Sequence, residues 1–208
     1  GKSGIGKSVL LKHLNGLILP DSGKVIVDDK EINNMSFRKL EKVRSKISMV
    51  FQFGALFDSM TVYENISLGL EKMTSLNKNE IKDRIIETLE EVGMEGSEHT
   101  YPSELSGGMK KRVGIARAIA VKPKYLLYDE PTTGLDPIMT DSINKLISKL
   151  HILENVTSII VTHEMKTVYD VSNRVIMLHD GNIQYEGLSQ DISSSNDLIV
   201  SNFINGVS

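Results

Sequence analysis

Along the 208 residues the spacing of apolar positions changes several times, and each change predicts an element. Val9, Leu10, Leu11, Leu14 and Leu17 recur at helical spacing. Pro20–Gly23 is a turn, and Lys24–Asp28, with Val25, Ile26 and Val27, predicts a strand. A short polar helix is expected over Ser36–Arg44, then a β-rich run, Ile47–Gln52. Phe53-Gly54-Ala55-Leu56-Phe57 is unusually apolar for a loop. Thr61–Leu70 predicts a helix in which Thr61 and Glu64 form a capping box. In Asn79–Val92, Ile81, Ile85, Ile86, Leu89 and Val92 make one stripe, the opposite face is charged, and Gly93 ends the helix. Ser106 can cap a helix that opens at Gly107 and Gly108 and continues through Lys110–Ala120.

From Lys124 onward strands and helices alternate. Tyr125–Tyr128 predicts a buried strand and Val156–Thr162 another strand. Asp141–Leu150 (with Ile143, Leu146, Ile147 and Leu150 on one face) and Glu164–Val171 predict helices. Arg174–Leu178 and Ile183–Glu186 predict a hairpin around Asp180-Gly181-Asn182. Strands that alternate with helices build a mostly parallel sheet covered on both faces. The expected architecture is one α/β domain over 1–208. Its core comprises 1–52 and 121–208, a helical subdomain over about 53–120 is inserted, and a short antiparallel β element is added.

Composition leaves that picture unchanged. The hydrophobic fraction is 40%, the charged fraction 25% and the net charge −3, which gives no broad attraction for nucleic acid or anionic membrane. The absence of cysteine excludes a disulfide framework and thiolate metal ligation. No apolar run approaches the ~20 residues of a membrane span.

The candidate chemistry begins at the first residue. Gly1-Lys2-Ser3-Gly4-Ile5-Gly6-Lys7-Ser8 satisfies G-x-x-x-x-G-K-[ST]. In such a loop, glycines expose backbone N–H groups to phosphate, the lysine reaches the β- and γ-phosphates, and the serine hydroxyl sits on Mg²⁺. This loop normally follows a buried strand. The sequence is therefore expected to lack N-terminal strands, and this span alone is expected to fold poorly. Tyr125–Glu130 ends in two acids: Asp129 is placed to hold the metal and Glu130 to polarise a water. Ser106-Gly107-Gly108 opens a second helix end suited to an anion. Two such ends in one chain need a common explanation.

Together these residues resemble the nucleotide-binding domain of the ABC ATPases. Gly1–Ser8 looks like Walker A, Gln52 like the Q-loop, and Leu105–Gly108 like the signature. Tyr125–Glu130 resembles Walker B with its following glutamate, Gly134-Leu135-Asp136-Pro137 the D-loop, and His163 the switch histidine, all in the family's order and spacing. The resemblance implies a P-loop NTPase fold, ATP and Mg²⁺, and a head-to-tail dimer. It implies ATP contacts from Gly1, Ser3, Gly4, Gly6, Lys7, Ser8, Gln52, Asp129 and His163, and contacts in trans from Ser106, Gly107, Gly108 and Asp136. Ser8, Gln52 and Asp129 are the implied metal ligands, with Glu130 as general base and Lys7, Gln52 and His163 as catalytic partners. The sequence departs from the family in Met109, where many members carry glutamine. The aromatic residue that stacks on adenine would lie upstream.

Phe51–Asn65, Tyr101–Met109 and the tail around Asn196–Gly206 further resemble the ATPase of Mla-type phospholipid transporters. That likeness implies a membrane permease docking near Gln52–Phe57, an MCE-domain lipid carrier, and a cytoplasmic, peripheral position on the inner face of the cell membrane. No nucleic-acid partner is expected. Two alternatives stay open: a transporter ATPase for a non-lipid substrate, and a soluble ABC ATPase acting on nucleic acid or ribosomes.

Overall fold

The computed structural model describes residues 1–207. Three parallel strands in the order β3-β4-β5 form the centre: β3 (Ile47–Val50), β4 (Tyr125–Asp129) and β5 (Thr157–Val161). Ile47 pairs with Tyr125 and Val50 with Tyr128, while Asp129 pairs with Val161, so the acidic end of β4 is set by register on both sides. β4 is buried on both faces, which explains its unbroken apolar run. Leu127 packs with Leu11 of α1 (Lys7–Leu14) and with Val161. Leu126 and Tyr128 face the larger core, beside Ile143 and Ile147 of α6 (Pro137–Leu153).

Between β3 and β4 run α3 (Val62–Met73), α4 (Lys78–Glu91) and α5 (Gly107–Ala120), after the short α2 (Phe37–Arg44). Of the capping boxes on α3 and α4, the first is predicted and the second unforeseen. Thr61 and Glu64 make a reciprocal capping box on α3, and Asn77 with Glu80 does the same for α4, two residues ahead of the sequence boundary. Gly93 ends α4 at φ +68°.

Several expectations are corrected. The segment after the phosphate loop is a helix only to Leu14. Of its expected apolar positions Leu11 alone is fully buried, and Val9, Leu10 and Leu17 are exposed. The strand expected over Lys24–Asp28 shrinks to β1 (Ile26–Val27), because Asp28 and Asp29 turn through positive φ into β2 (Lys30–Glu31), an unforeseen partner. α6 starts four residues early, since Asp136 caps it and Pro137 takes the first position. Arg84 lies on the supposedly charged face of α4 yet is buried. It donates to the Ile119 and Ala120 carbonyls at 3.1 and 3.0 Å, satisfying the last turn of α5, and pairs with Glu87 and Glu91. The hairpin forms as β6 (Arg174–His179) and β7 (Asn182–Leu188), with Asp180 and Gly181 both at positive φ and an irregular register at Met177/Leu178. Helix α7 (Met165–Val171) precedes it and α8 (Leu198–Ile204) follows.

Candidate active site

The site lies where the opening loop, the end of β4 and the end of β5 converge. Gly4 and Gly6 take φ of +82° and +97°, conformations a Cβ would strain. A Cβ on Gly1 would stand 2.3 Å from the Leu178 carbonyl oxygen. The loop therefore delivers Lys7 and Ser8 at the start of α1 with no side-chain cap on the helix, so its first N–H groups stay free for an anion.

Contacts knit the predicted residues together. The Ser8 hydroxyl donates to Asp129 Oδ1 at 2.7 Å. Lys7 Nζ donates to the Gly1 and Lys2 carbonyls and pairs with Glu130 Oε1 at 3.3 Å. His163 Nδ1 donates to Glu130 Oε2 at 2.8 Å, and the Thr133 hydroxyl adds a bond of 3.1 Å to the same oxygen. A carboxylate only accepts, so Nδ1 carries the imidazole proton. Glu130 holds φ +48°, a strained backbone kept in place by its N–H bond to the Val161 carbonyl. Burial favours the neutral form of its carboxyl. The hydrogen bond from His163 and the charges of His163 and Lys7 outweigh that and hold its pKa below the ordinary glutamate value.

A hydroxyl and a carboxylate oxygen in contact, beside free helix N–H groups, are hard-oxygen donors suited to Mg²⁺ carrying phosphate. Ser8 and Asp129 therefore fit that ion. The contact made by Gln52 runs through its main chain instead, its carbonyl accepting from Lys111.

The second glycine-led helix end stands apart from this cluster. Ser106 caps α5 by accepting from the Met109 N–H at 3.3 Å, and Ser106 and Gly107 are exposed. Gly108 is buried, where a Cβ would meet the end of the Met139 side chain. Asp136 Oδ1 accepts from the Ile138 and Met139 N–H groups at 2.9 Å, so one carboxylate oxygen is committed to its own helix.

The apolar loop divides into two kinds of residue. Leu56 packs against the core, whereas Phe53 and Phe57 are 77% and 51% exposed. Leu56 thus leaves the expected docking patch, and of its apolar side chains Phe53 and Phe57 stay exposed. Asn65, fully buried, pins the exit of this loop by accepting from the Phe57 N–H and donating to the Phe57, Met60 and Thr61 carbonyls.

Three residues that touch this region escape the sequence reading: Asn65, Lys111 and Arg117. For Lys111 a signal existed. It lies in phase with Gly108, Ile115 and Ala118 on the buried face of α5, where a lysine has no solvent.

This fold, with a phosphate-binding loop joined to paired acids and a histidine, defines a P-loop nucleotide-binding protein, and the ABC transporter family profile matches residues 1–133. The chain belongs to that family. It is 39% identical, over its whole length and 79% of the relative, to the intermembrane phospholipid transport ATP-binding protein MlaF of Haemophilus influenzae. It is 45% identical, over 92% of its length, to the methionine import ATP-binding protein MetN of Carboxydothermus hydrogenoformans, of which it spans 57%. Among solved structures, cbiO1 of Clostridium perfringens, part of the ABC transporter complex cbiONQ, matches at TM-score 0.85 and 32% identity over 98% of this chain and 81% of that one. The ATP-binding cassette MJ0796, solved as a dimer in a post-hydrolysis state with ADP and Pi, matches at TM-score 0.82 and 34% identity over 91% and 83%.

Proposed function

We propose that the chain hydrolyses ATP and powers an ABC transporter through a separate membrane permease. The observation that carries this reading is the Glu130 carboxylate. It sits one residue past the Ser8–Asp129 pair and is gripped by Lys7 on one oxygen and His163 on the other. In this reading Gly1, Ser3, Gly4 and Gly6 shape the phosphate loop, Ser8 and Asp129 hold Mg²⁺, and Gln52 senses metal and water. Mg²⁺ would neutralise charge on the phosphates. Lys7 binds the β- and γ-phosphates, and a phosphate drawing Lys7 away leaves Glu130 free to take a proton from water. His163 orients Glu130 and reaches the γ-phosphate.

The exposure of Ser106 and Gly107 supports a head-to-tail dimer in which each copy supplies the Ser106–Gly108 end, with Asp136, to its partner's nucleotide. The dimeric state of the MJ0796 cassette favours the same arrangement. Phe53 and Phe57 are the apolar anchors for a permease helix, beside Gln52. No helix among the described residues is long and apolar enough to cross a membrane; the position proposed here, peripheral on the inner face, rests on the proposed docking.

Glu130→Gln tests the catalytic part. The variant is expected to retain ATP while steady turnover falls by about 100-fold or more, and near-normal hydrolysis would remove Glu130 as base. The transported class has two readings. The MlaF relative, aligned along the entire chain, favours phospholipid and an MCE-domain carrier, while the MetN relatives favour methionine import. Purification of the full-length protein from detergent extract separates them by the permease that comes with it.

A further inference from the structure

Lys111 is 5% exposed and belongs to none of the motifs that define the site. It stands one turn into α5, behind the Ser106–Gly108 end. Its Nζ donates to the Gln52 carbonyl and, at 3.3 Å, to the Glu130 carbonyl. One cation therefore joins the signature helix, the Gln52 loop and the strained residue proposed as base. Two further contacts fasten the same loop to the same helix. Arg117 donates to the Ala55 and Gly54 carbonyls at 2.7 and 2.8 Å. Gly54 and Gly114 approach so closely that a Cβ on Gly54 would lie 2.9 Å from the Lys110 carbonyl oxygen, and one on Gly114 3.0 Å from Gly54 Cα. The Gly54–Ala55 part of the loop bearing Phe53 and Phe57 thus lies against α5, while Asn65 of α3 holds its exit.

We propose that Lys111 is a positioning residue that ties Glu130 and the Gln52 loop to α5, so that a shift of that helix, pulled by a partner's nucleotide or by a docked permease, is felt at the hydrolytic centre. This rests on the reading of Glu130 as base. The physical argument is that a buried ammonium cannot leave its carbonyl partners without a desolvation penalty, so the three segments move together. Burial pushes the Lys111 pKa down, with Glu164 and Glu130 opposing. Loss of the tie leaves the Glu130 backbone held by the Val161 and Thr133 bonds alone, and a misplacement near 1 Å is worth about 100-fold in rate.

The test uses the full-length protein, with ATP binding, thermal melting and steady hydrolysis measured side by side. Lys111→Met is expected to lower kcat per bound nucleotide by about 10- to 100-fold, with KM for ATP held within about threefold. Lys111→Arg is expected to restore most of the loss. A purely structural lysine would lower the melting temperature and the active fraction but leave turnover per bound nucleotide unchanged. If Lys111→Met fails to fold, Lys111→Gln, which loses the charge and some reach but keeps amide N–H donors for the carbonyls, reads the same ratio at intermediate depth. Unchanged turnover per bound nucleotide, a loss carried by KM, or a loss that Arg does not restore overturns the proposal. Failure of the underlying reading looks different: Glu130→Gln would then hydrolyse ATP normally, whatever Lys111 does. An inactive Glu130→Gln beside a normal Lys111→Met sinks the positioning role alone.

Discussion

Two helices in this chain begin at glycines and present unpaired N–H groups, and they are built in opposite ways. α1 is eight residues long, has no side-chain cap and buries Leu11 alone, but its first residues are bound into a dense polar cluster with Asp129 and Glu130. α5 is fourteen residues long, is capped by Ser106 and buries nine residues, yet its tip touches nothing comparable. A weak helix with a finished site and a strong helix with an unfinished one are complementary parts. In the proposed reading the first grips phosphate from a glycine turn. The second is a well-buried helix with Ser106 and Gly107 exposed at its tip, and in the proposal above it carries a displacement to Gln52 and Glu130 through Lys111.

The sharpest way to break this comparison is a pair of substitutions, one at each end. Lys7→Ala is expected to weaken ATP binding by about 100-fold or more, since it removes a charge from the phosphates. Ser106→Glu is expected to leave ATP binding to one copy within about threefold while removing ATP-driven dimerisation and turnover. Calorimetry and light scattering check both, and equal loss of binding in the two variants would erase the distinction.

A smaller effect concerns the polar cluster at the α1 end. The folded-state pKa of Glu130 is depressed, so the carboxylate stays ionised below the ordinary glutamate range, and activity that depends on it is lost only as pH falls through that depressed value. Removing His163 takes away the hydrogen bond and charge that offset burial, which raises the pKa. In His163→Ala the acid limb of the kcat/KM profile, which reports the free enzyme, is therefore expected to move to higher pH. A limb that stays in place would mean that His163 does not tune Glu130.

The smallest effect compares buried polar groups. Lys111, on α5, has two carbonyl partners, whereas the fully buried Tyr128 hydroxyl on β4 has none among the described residues, and burial raises its pKa. Tyr128→Phe removes an unpaired group without changing the ring, so stability is expected to stay level or rise by up to about 1 kcal/mol. A melting temperature that falls by several degrees would mean the hydroxyl has a partner in solution.

What could be read from the residues alone was local. A glycine loop ending in Lys7-Ser8, a Thr61/Glu64 box and the Asp180-Gly181 turn each act over a few residues, and each appears in the structure. The boundary errors have local causes too: Asp136-Pro137 was a cap signal passed over, and Asp28-Asp29 a turn hidden inside a supposed strand. The misread side chains are of another kind. Arg84 counts as a solvated charge by residue type, Lys111 shares the phase of the buried face of α5 but its partners lie on other segments, and Leu56 looks no different from Phe53 or Phe57.

The linear order of residues determined which backbone stretches could cradle phosphate, where helices begin, and which acids close the central strand, because hydrogen bonds between near neighbours decide those features. Tertiary structure alone decided that Arg84 would serve another helix's carbonyls, that Lys111 would bridge Gln52 and Glu130, and that Leu56 would turn inward while the phenylalanines stayed out. Those outcomes depend on which unpaired carbonyl or apolar surface comes into reach after distant segments pack, and a long side chain finds its partner only then.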